Sequence, residues 1–255
     1  MDDSKAGLRH ILDIAKTSYN RGFDGFSDFL SPAEAVLIYS HIREIPQGKF
    51  YLYGGTKSCE RTMACFPSRD YADETEIDFP ISCVKISSVA KKFQKKELTH
   101  RDYLGSVLGL GIDRKLTGDI FVNKEESNAY LFCKEDIAGF LIDNLSEVGH
   151  NAVKCELVDS LGLDFEKNIE ERTGTVQSLR LDAVISEVYN LSRTNVKEII
   201  EKEMVSRNSI LISNPHIDLS DGDIISVRGH GKFVFYGSEG ETRKGRTRFK
   251  YGLYT

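Results

Sequence analysis

The sequence predicts an α+β chain in three parts. An N-terminal α/β module covers 1–76 and a central ferredoxin-like domain covers 77–160. After a linker over 161–177, a helical hairpin on a small sheet covers 178–255. Three observations carry this reading. Segments with apolar residues at i, i+3, i+4 and i+7 are interspersed with short β-branched and aromatic runs. The central part orders its elements β-α-β-β-α-β, which is the split βαβ arrangement. An acidic, apolar-poor stretch, SRDYADETEID, separates the first part from the second.

Taken in order, residues 5–17 and 33–44 read as helices. The second is introduced by Ser31-Pro32-Ala33-Glu34, where Ser caps, Pro takes the first helical position and Glu closes the box. Lys49–Tyr53 and Thr62–Phe66 read as a strand pair flanking GGTKSCER, in which Gly54-Gly55 permits a backbone conformation or a close approach that a side chain forbids. The central elements are a strand at 83–86, a helix at 101–108, strands at 119–122 and 130–133, a helix at 136–145 and a strand at 152–157. Many RNA-binding modules share this RRM-like order, although a fold by itself proves no function. In the last part Leu181, Val184, Ile185 and Val188 form one apolar stripe and Val196, Ile199 and Ile200 a second, so the two helices face each other. Ser192 caps the second helix, which sets Arg193 and Lys197 one turn apart on a face opposite the stripe. Short strands follow at 204–208 and 210–212, then an Asp221-Gly222 turn into IISVR and a Gly229-His230-Gly231 turn into KFVFYG.

Composition narrows the class. At 40% hydrophobic and 29% charged, a chain of 255 residues buries a sizeable core. No apolar run approaches the roughly 18 residues of a membrane span, and the first residues carry no signal-peptide pattern, so a cytoplasmic protein is expected. Five cysteines form no CxxC pair and sit in apolar segments, which reads as reduced core thiols; the six histidines show no metal-ligand spacing. No cofactor is expected. The net charge of -5 hides an asymmetry, for the residues from 177 onward carry +2 and the rest -7. Arg228, Lys232, Arg243, Lys244, Arg246, Arg248 and Lys250 crowd the end of the chain, with Phe249, Tyr251 and Tyr254 interleaved. A basic tail with aromatics suits a polyanion that offers bases to stack on. Lys91, Lys92, Lys95 and Lys96 form a second basic run, which reads equally as a solvated loop.

SLRLD, LSR, VSRN, DGDIISVRG and GKF, in that order, resemble the S-four (αL-type) RNA-binding domain. Each piece alone reads as a solvated hairpin with a routine turn; their co-occurrence favours the domain. The resemblance implies RNA-backbone contacts from basic residues at the helix ends and loop. Arg180 and Asp182 match the RLD start, Ser192 and Arg193 the SR pair, Asn208 the loop Asn, Gly222 and Asp223 the GD, and Val227 and Arg228 the strand end. Lys197, Arg207 and Lys232 complete the expected RNA-binding set. Where the family usually has Gly after the second helix, this sequence has Glu203. LTHRDYLGSVLGLGIDRKLTGDI, with GG at 54–55, ER at 60–61 and TVQSLRLD at 175–182, extends the resemblance to the bacterial YlmH family over nearly the whole chain. There Thr99 caps a helix, and His100, Arg101, Arg114 and Lys115 lie near its ends and following loop as further RNA-binding candidates; for His100 a capping or buried-polar role is the alternative. The YlmH resemblance implies a monomeric adaptor of ribosome-associated quality control, with large-subunit ribosomal RNA and tRNA or peptidyl-tRNA as partners.

Enzyme readings fare worse. HRDYL mimics a kinase catalytic loop, yet the other kinase signatures are missing. GLG at 109–111 follows a helix rather than a strand, so it is no dinucleotide fingerprint. Pseudouridine synthases often carry an S-four domain, but Asp113, Thr117 and Gly118 stand in the wrong order and spacing for their GRLD-x-x-T-x-G setting. An RNA-modifying enzyme of that type is the alternative to a non-catalytic RNA-binding adaptor.

Overall fold

The computed structural model describes residues 2–71, 73–89, 97–160, 163, 165, 169–243 and 245–254, with backbone alone for residues 2–5 and 74. Among these, six α-helices and three antiparallel sheets form an α+β chain, as the sequence predicts. It divides into two compact units, Met1–Phe165 and Glu166–Thr255.

The first unit begins with α1 (Asp2–Arg21), β1 (Gly25–Phe26), α2 (Pro32–Ser40), β2 (Tyr51–Tyr53) and β3 (Met63–Phe66). The helices form for local reasons. Ile11, Leu12 and Ala15 give α1 one buried face, and the Ser31/Glu34 capping box with Pro32 at the first position starts α2. The helix expected over 33–44 ends at Ser40 and resumes as a 3₁₀ turn at Ile42–Glu44. The three strands pair in the order β1-β3-β2. Next come β4 (Ile81–Ser88), α3 (His100–Gly109), β5 (Thr117–Asn123), β6 (Asn128–Lys134), α4 (Glu135–Asn144), β7 (Glu147–Val148) and β8 (Asn151–Val158). Their sheet runs β5-β6-β4-β8-β7. Thr99 and Asp102 close a second capping box at the head of α3.

Alternation along the strands sends successive side chains to opposite faces and so decides what each face meets. Val84, Ile86 and Leu131 point to α3 and α4, where Tyr103, Val107 and Leu141 join them in one buried cluster. Cys83 and Phe132 point the other way and bury against Phe29 and Met63 of the first part of the chain. The stretches 1–76 and 77–160 therefore share a core inside one compact unit. Gly55 (φ 107) shows why a glycine is needed at this seam: a Cβ there would come within 2.1 Å of the Phe132 ring.

The second unit comprises β9 (Ile169–Val176), α5 (Leu181–Tyr189), α6 (Arg193–Glu201), β10 (Val205–Arg207), β11 (Ile210–Leu211), β12 (Ile224–Val227), β13 (Gly231–Glu241) and β14 (Thr247–Tyr254). The sheet order is β11-β10-β12-β13-β14-β9. Val184, Ile185, Val196 and Ile200 of the hairpin bury against Phe233, Phe235, Phe249 and Tyr251 of the sheet.

Two expectations need correction here. Residues 161–177 are not simply a linker, because β9 pairs with β14 from Ile169↔Tyr254 to Val176↔Thr247. Its IEERTGTV sequence is polar because most of an edge strand faces water, and that polarity hides the strand from a hydrophobicity reading. The basic tail is likewise not an exposed appendage. Within it β13 and β14 pair, and Phe249 and Tyr251, expected to stack on bases, are buried in the core at 0% and 6% exposure.

Candidate nucleic-acid interface

A buried carboxylate in the first turn of α5 draws in cations from both helices of the hairpin. Asp182 stands in the first turn of α5, where the helix dipole favours an anion, yet its side chain is only 1% exposed. A carboxylate so buried needs partners. Arg180 grips it through Nε at 3.1 Å and Nη2 at 2.8 Å, Arg193 approaches through Nη1 at 3.5 Å, and His216 Nδ1 lies 3.9 Å away. The Arg180 guanidinium also contacts His216. Two guanidiniums thus surround one carboxylate, leaving an excess of positive charge at the solvent edge. Arg193 was expected at the exposed start of α6, opposite the apolar stripe. Its side chain is exposed (46%), and its Nη1 reaches across to Asp182 at 3.5 Å. Ser192 caps α6, its Oγ accepting from the Asn195 N–H at 3.1 Å, and Lys197 follows on the exposed surface.

A second buried carboxylate organises the loop side. Asp223 is 5% exposed and accepts from Arg207 at 2.7 Å, Asn208 Nδ2 at 2.9 Å and the Ser220 N–H at 2.6 Å. Burial works to raise its pKa, but these donors together hold it below the ordinary value. Asn208, in a left-handed conformation (φ 48), also accepts from the Ile224 N–H, so this candidate shapes the loop. Arg207 is anchored as well, through the Asp218 carbonyl and Ser220 Oγ. Arg228 lies exposed beside the Gly229 turn, and Lys232 lies over the Tyr254 ring at 4.9 Å. Glu203, standing where the family usually has Gly, adopts φ 55.

The candidates of the first unit separate into inner and outer ones. Arg114 is an inner residue. Its Nη1 donates to the Thr117 carbonyl (2.7 Å), Thr117 Oγ1 (2.7 Å) and the Gly118 carbonyl (2.9 Å). Arg61 Nε donates to the same Thr117 carbonyl at 3.1 Å. Burial, then the Arg61 charge, lowers the Arg114 pKa to about 10 against the pull of Asp119. Arg114 therefore ties β5 to the preceding turn instead of standing out as an unengaged cation, since backbone carbonyls in that turn need donors. His100 titrates below its usual value, through desolvation first and the Arg114 charge second. Arg101 and Lys115 are exposed, the latter near Asp28 (3.8 Å) and Asp113 (3.7 Å). Asp113 Oδ1 accepts from the Lys115 N–H and caps a 3₁₀ turn. Lys91, Lys92, Lys95, Lys96 and Lys244 lie outside the described residues.

RRM-type modules read bases with aromatics on the sheet face away from their helices. Here Phe165 stacks on Phe121 at 4.3 Å with 9° between rings, and Phe29 and Met63 bury Phe132. That face is covered from within the unit.

Comparison with known proteins agrees with the YlmH resemblance. Residues 74–161 match the family model described as "Putative RNA-binding domain in YlmH". Over 250 residues the chain is 29% identical to the ribosome-associated protein quality control protein P2 of Bacillus subtilis (strain 168), covering 98% of this chain and 95% of that protein. The chain is YlmH-like. A solved structure described as cell division protein ylmH from Streptococcus pneumoniae aligns with a TM-score of 0.49 and 24% identity, over 64% of this chain and 95% of the other.

Sequence reading named the basic residues of the hairpin but not His216, which comes from the loop before β12, 34 residues after Asp182, and lies beside them. No local pattern marks such a partner. Asp223 was matched only to the GD of the resemblance; its role as an anchor for Arg207 and Asn208 depends on the strand register.

Proposed function

We propose that this chain is a non-catalytic RNA-binding adaptor that works on the ribosome, with residues 178–255 acting as an S-four domain and residues 77–160 as a ferredoxin-like scaffold. The observation that carries this reading is the excess of cation over anion at the heads of α5 and α6. Arg180 and Arg193 converge on one carboxylate, and Lys197 extends the positive surface. Arginines already oriented by a buried acid lose little freedom on meeting a phosphate. The name of the Bacillus subtilis relative supports a place on the ribosome. The reading extends to large-subunit ribosomal RNA and tRNA or peptidyl-tRNA as partners, and to a cytoplasmic monomer needing no cofactor.

The test is co-sedimentation with purified large ribosomal subunits across a salt series. Each phosphate neutralised contributes about 0.7 to 0.9 to the slope of log affinity against log salt. Replacing Arg193 and Lys197 together by Gln removes two cations, so the slope is expected to fall by about 1.4 to 1.8. Affinity that stays flat with salt, or a double variant with an unchanged slope, would refute the assignment.

A further inference from the structure

We propose that the face of the six-stranded sheet turned away from the α5–α6 hairpin is a binding platform for single-stranded RNA, with bases stacking on Tyr236 and Tyr254 and phosphates meeting Lys232, Arg248 and Lys250. The helices pack on the opposite face, where Phe233, Phe235, Phe249 and Tyr251 form the core. Strand alternation then leaves Lys232, Val234 and Tyr236 of β13 beside Arg248, Lys250, Gly252 and Tyr254 of β14 on the other side. The tyrosines expected from the tail sequence are thereby sorted anew, Tyr251 going to the core and Tyr236 joining Tyr254.

Three features distinguish this face from an ordinary solvated one. The ladder between β13 and β14 shifts register between Phe235 and Gly237, so Tyr236 is the extra residue of a β-bulge, a device that re-aims a side chain. The ring then lies over Gly252, where a Cβ would come within 2.7 Å of Tyr236 Oη, and it remains 38% exposed. Both tyrosines also carry an ammonium, Lys232 at 4.9 Å from the Tyr254 centroid and Lys250 at 5.8 Å from that of Tyr236. Rings with lysines alongside offer π-faces to bases and cations to the backbone that joins them. Lys250 pairs with the exposed Glu171 at 2.7 Å, an ion pair that an RNA phosphate must displace. Ion pairs in water contribute little, so the exchange costs little.

The commonplace reading is that Tyr236 merely shields Gly252 within the sheet. Binding of a labelled single-stranded oligouridine to the full chain, followed by fluorescence anisotropy, separates the two. Base stacking on an aromatic is worth about 1–3 kcal/mol per base, so Tyr236→Leu, which still covers Gly252, is expected to weaken binding by about 5- to 150-fold. Tyr254→Leu should act similarly, and Tyr236→Phe should bind like the wild type. Lys250→Gln should lower the salt slope by about 0.7. Unchanged affinity in both leucine variants would overturn the proposal, as would a loss in Tyr236→Phe equal to that in Tyr236→Leu. The Arg193/Lys197 double variant keeps the two readings apart. It should weaken ribosome association and leave oligouridine binding unchanged, whereas Tyr236→Leu should do the reverse.

Discussion

Removing the Arg180 guanidinium is the most direct test of how the hairpin holds its charges. In Arg180→Ala the Asp182 carboxylate, 1% exposed, loses two charge-assisted bonds of 3.1 and 2.8 Å and keeps only Arg193 at 3.5 Å and His216 at 3.9 Å. Breaking a buried ion pair by deleting one partner costs about 3–5 kcal/mol when the remaining charge has no other partner. Arg180 is 34% exposed and Arg193 stays near, so the expected cost is smaller, about 2–3 kcal/mol. Hydrogen exchange of the amides in α5 and α6 reads this locally, which matters in a chain of two units. Protection there should fall by about 30- to 150-fold, while the amides of β4 and β6 stay unchanged. Asp182→Asn in the Arg180→Ala background should recover part of the loss, because a neutral amide no longer demands a cation. If Arg180→Ala leaves α5 as protected as before, the buried carboxylate does not depend on this arginine, and the network must be understood differently.

Other expectations follow from the same structure. Gly55→Ala forces a Cβ to 2.1 Å from the Phe132 ring at φ 107, so urea unfolding of the first unit should show a loss of about 2–5 kcal/mol, and a midpoint equal to the wild type would contradict the close approach. Burial pushes the Cys65, Cys83 and Cys133 thiols up to about 12 and Cys155 to about 11. In the unfolded chain they ionise near the ordinary thiol value of about 8.5, so the unfolded state holds fewer protons above it. Stability of the first unit should therefore be intact below that pH and decline as pH rises from about 8.5 towards 10, a trend that Cys83→Ala should weaken in pH-dependent denaturation. Asp113 caps a 3₁₀ turn and pairs with Lys115, so Asp113→Asn should leave the modified-nucleoside content of cellular RNA unchanged by mass spectrometry. A nucleoside missing from that strain would make the chain an RNA-modifying enzyme.

Much of the fold was legible because the relevant signals are local. Capping boxes at Ser31/Glu34 and Thr99/Asp102 and the apolar stripes of α5 and α6 depend on residues within a few positions of one another. The candidate site was less legible. Arg180 and Arg193 could be named as cations at helix ends, but their orientation depends on an aspartate whose burial arises only when the hairpin packs on the sheet. Arg114 reads in sequence as a basic loop residue, and it is the carbonyls of Thr117 and Gly118 that take up its Nη1.

The sequence by itself determined the α+β class, the central order of strands and helices, the helical hairpin and the excess of positive charge after residue 177, since propensity, periodicity and charge travel with the chain. Tertiary structure alone decided which aromatics see solvent. Phe249, Tyr251 and Tyr254 look alike in the tail sequence, yet β14 pairs on both sides and lies under the hairpin on one face, burying the first two and leaving Tyr254 on the other. It likewise made IEERTGTV an edge strand, because β14 presents an unpaired row of backbone donors and acceptors that those residues can satisfy regardless of their polarity. Backbone pairing of that kind leaves little mark on side-chain composition, and so it becomes visible only once the partner strand is in place.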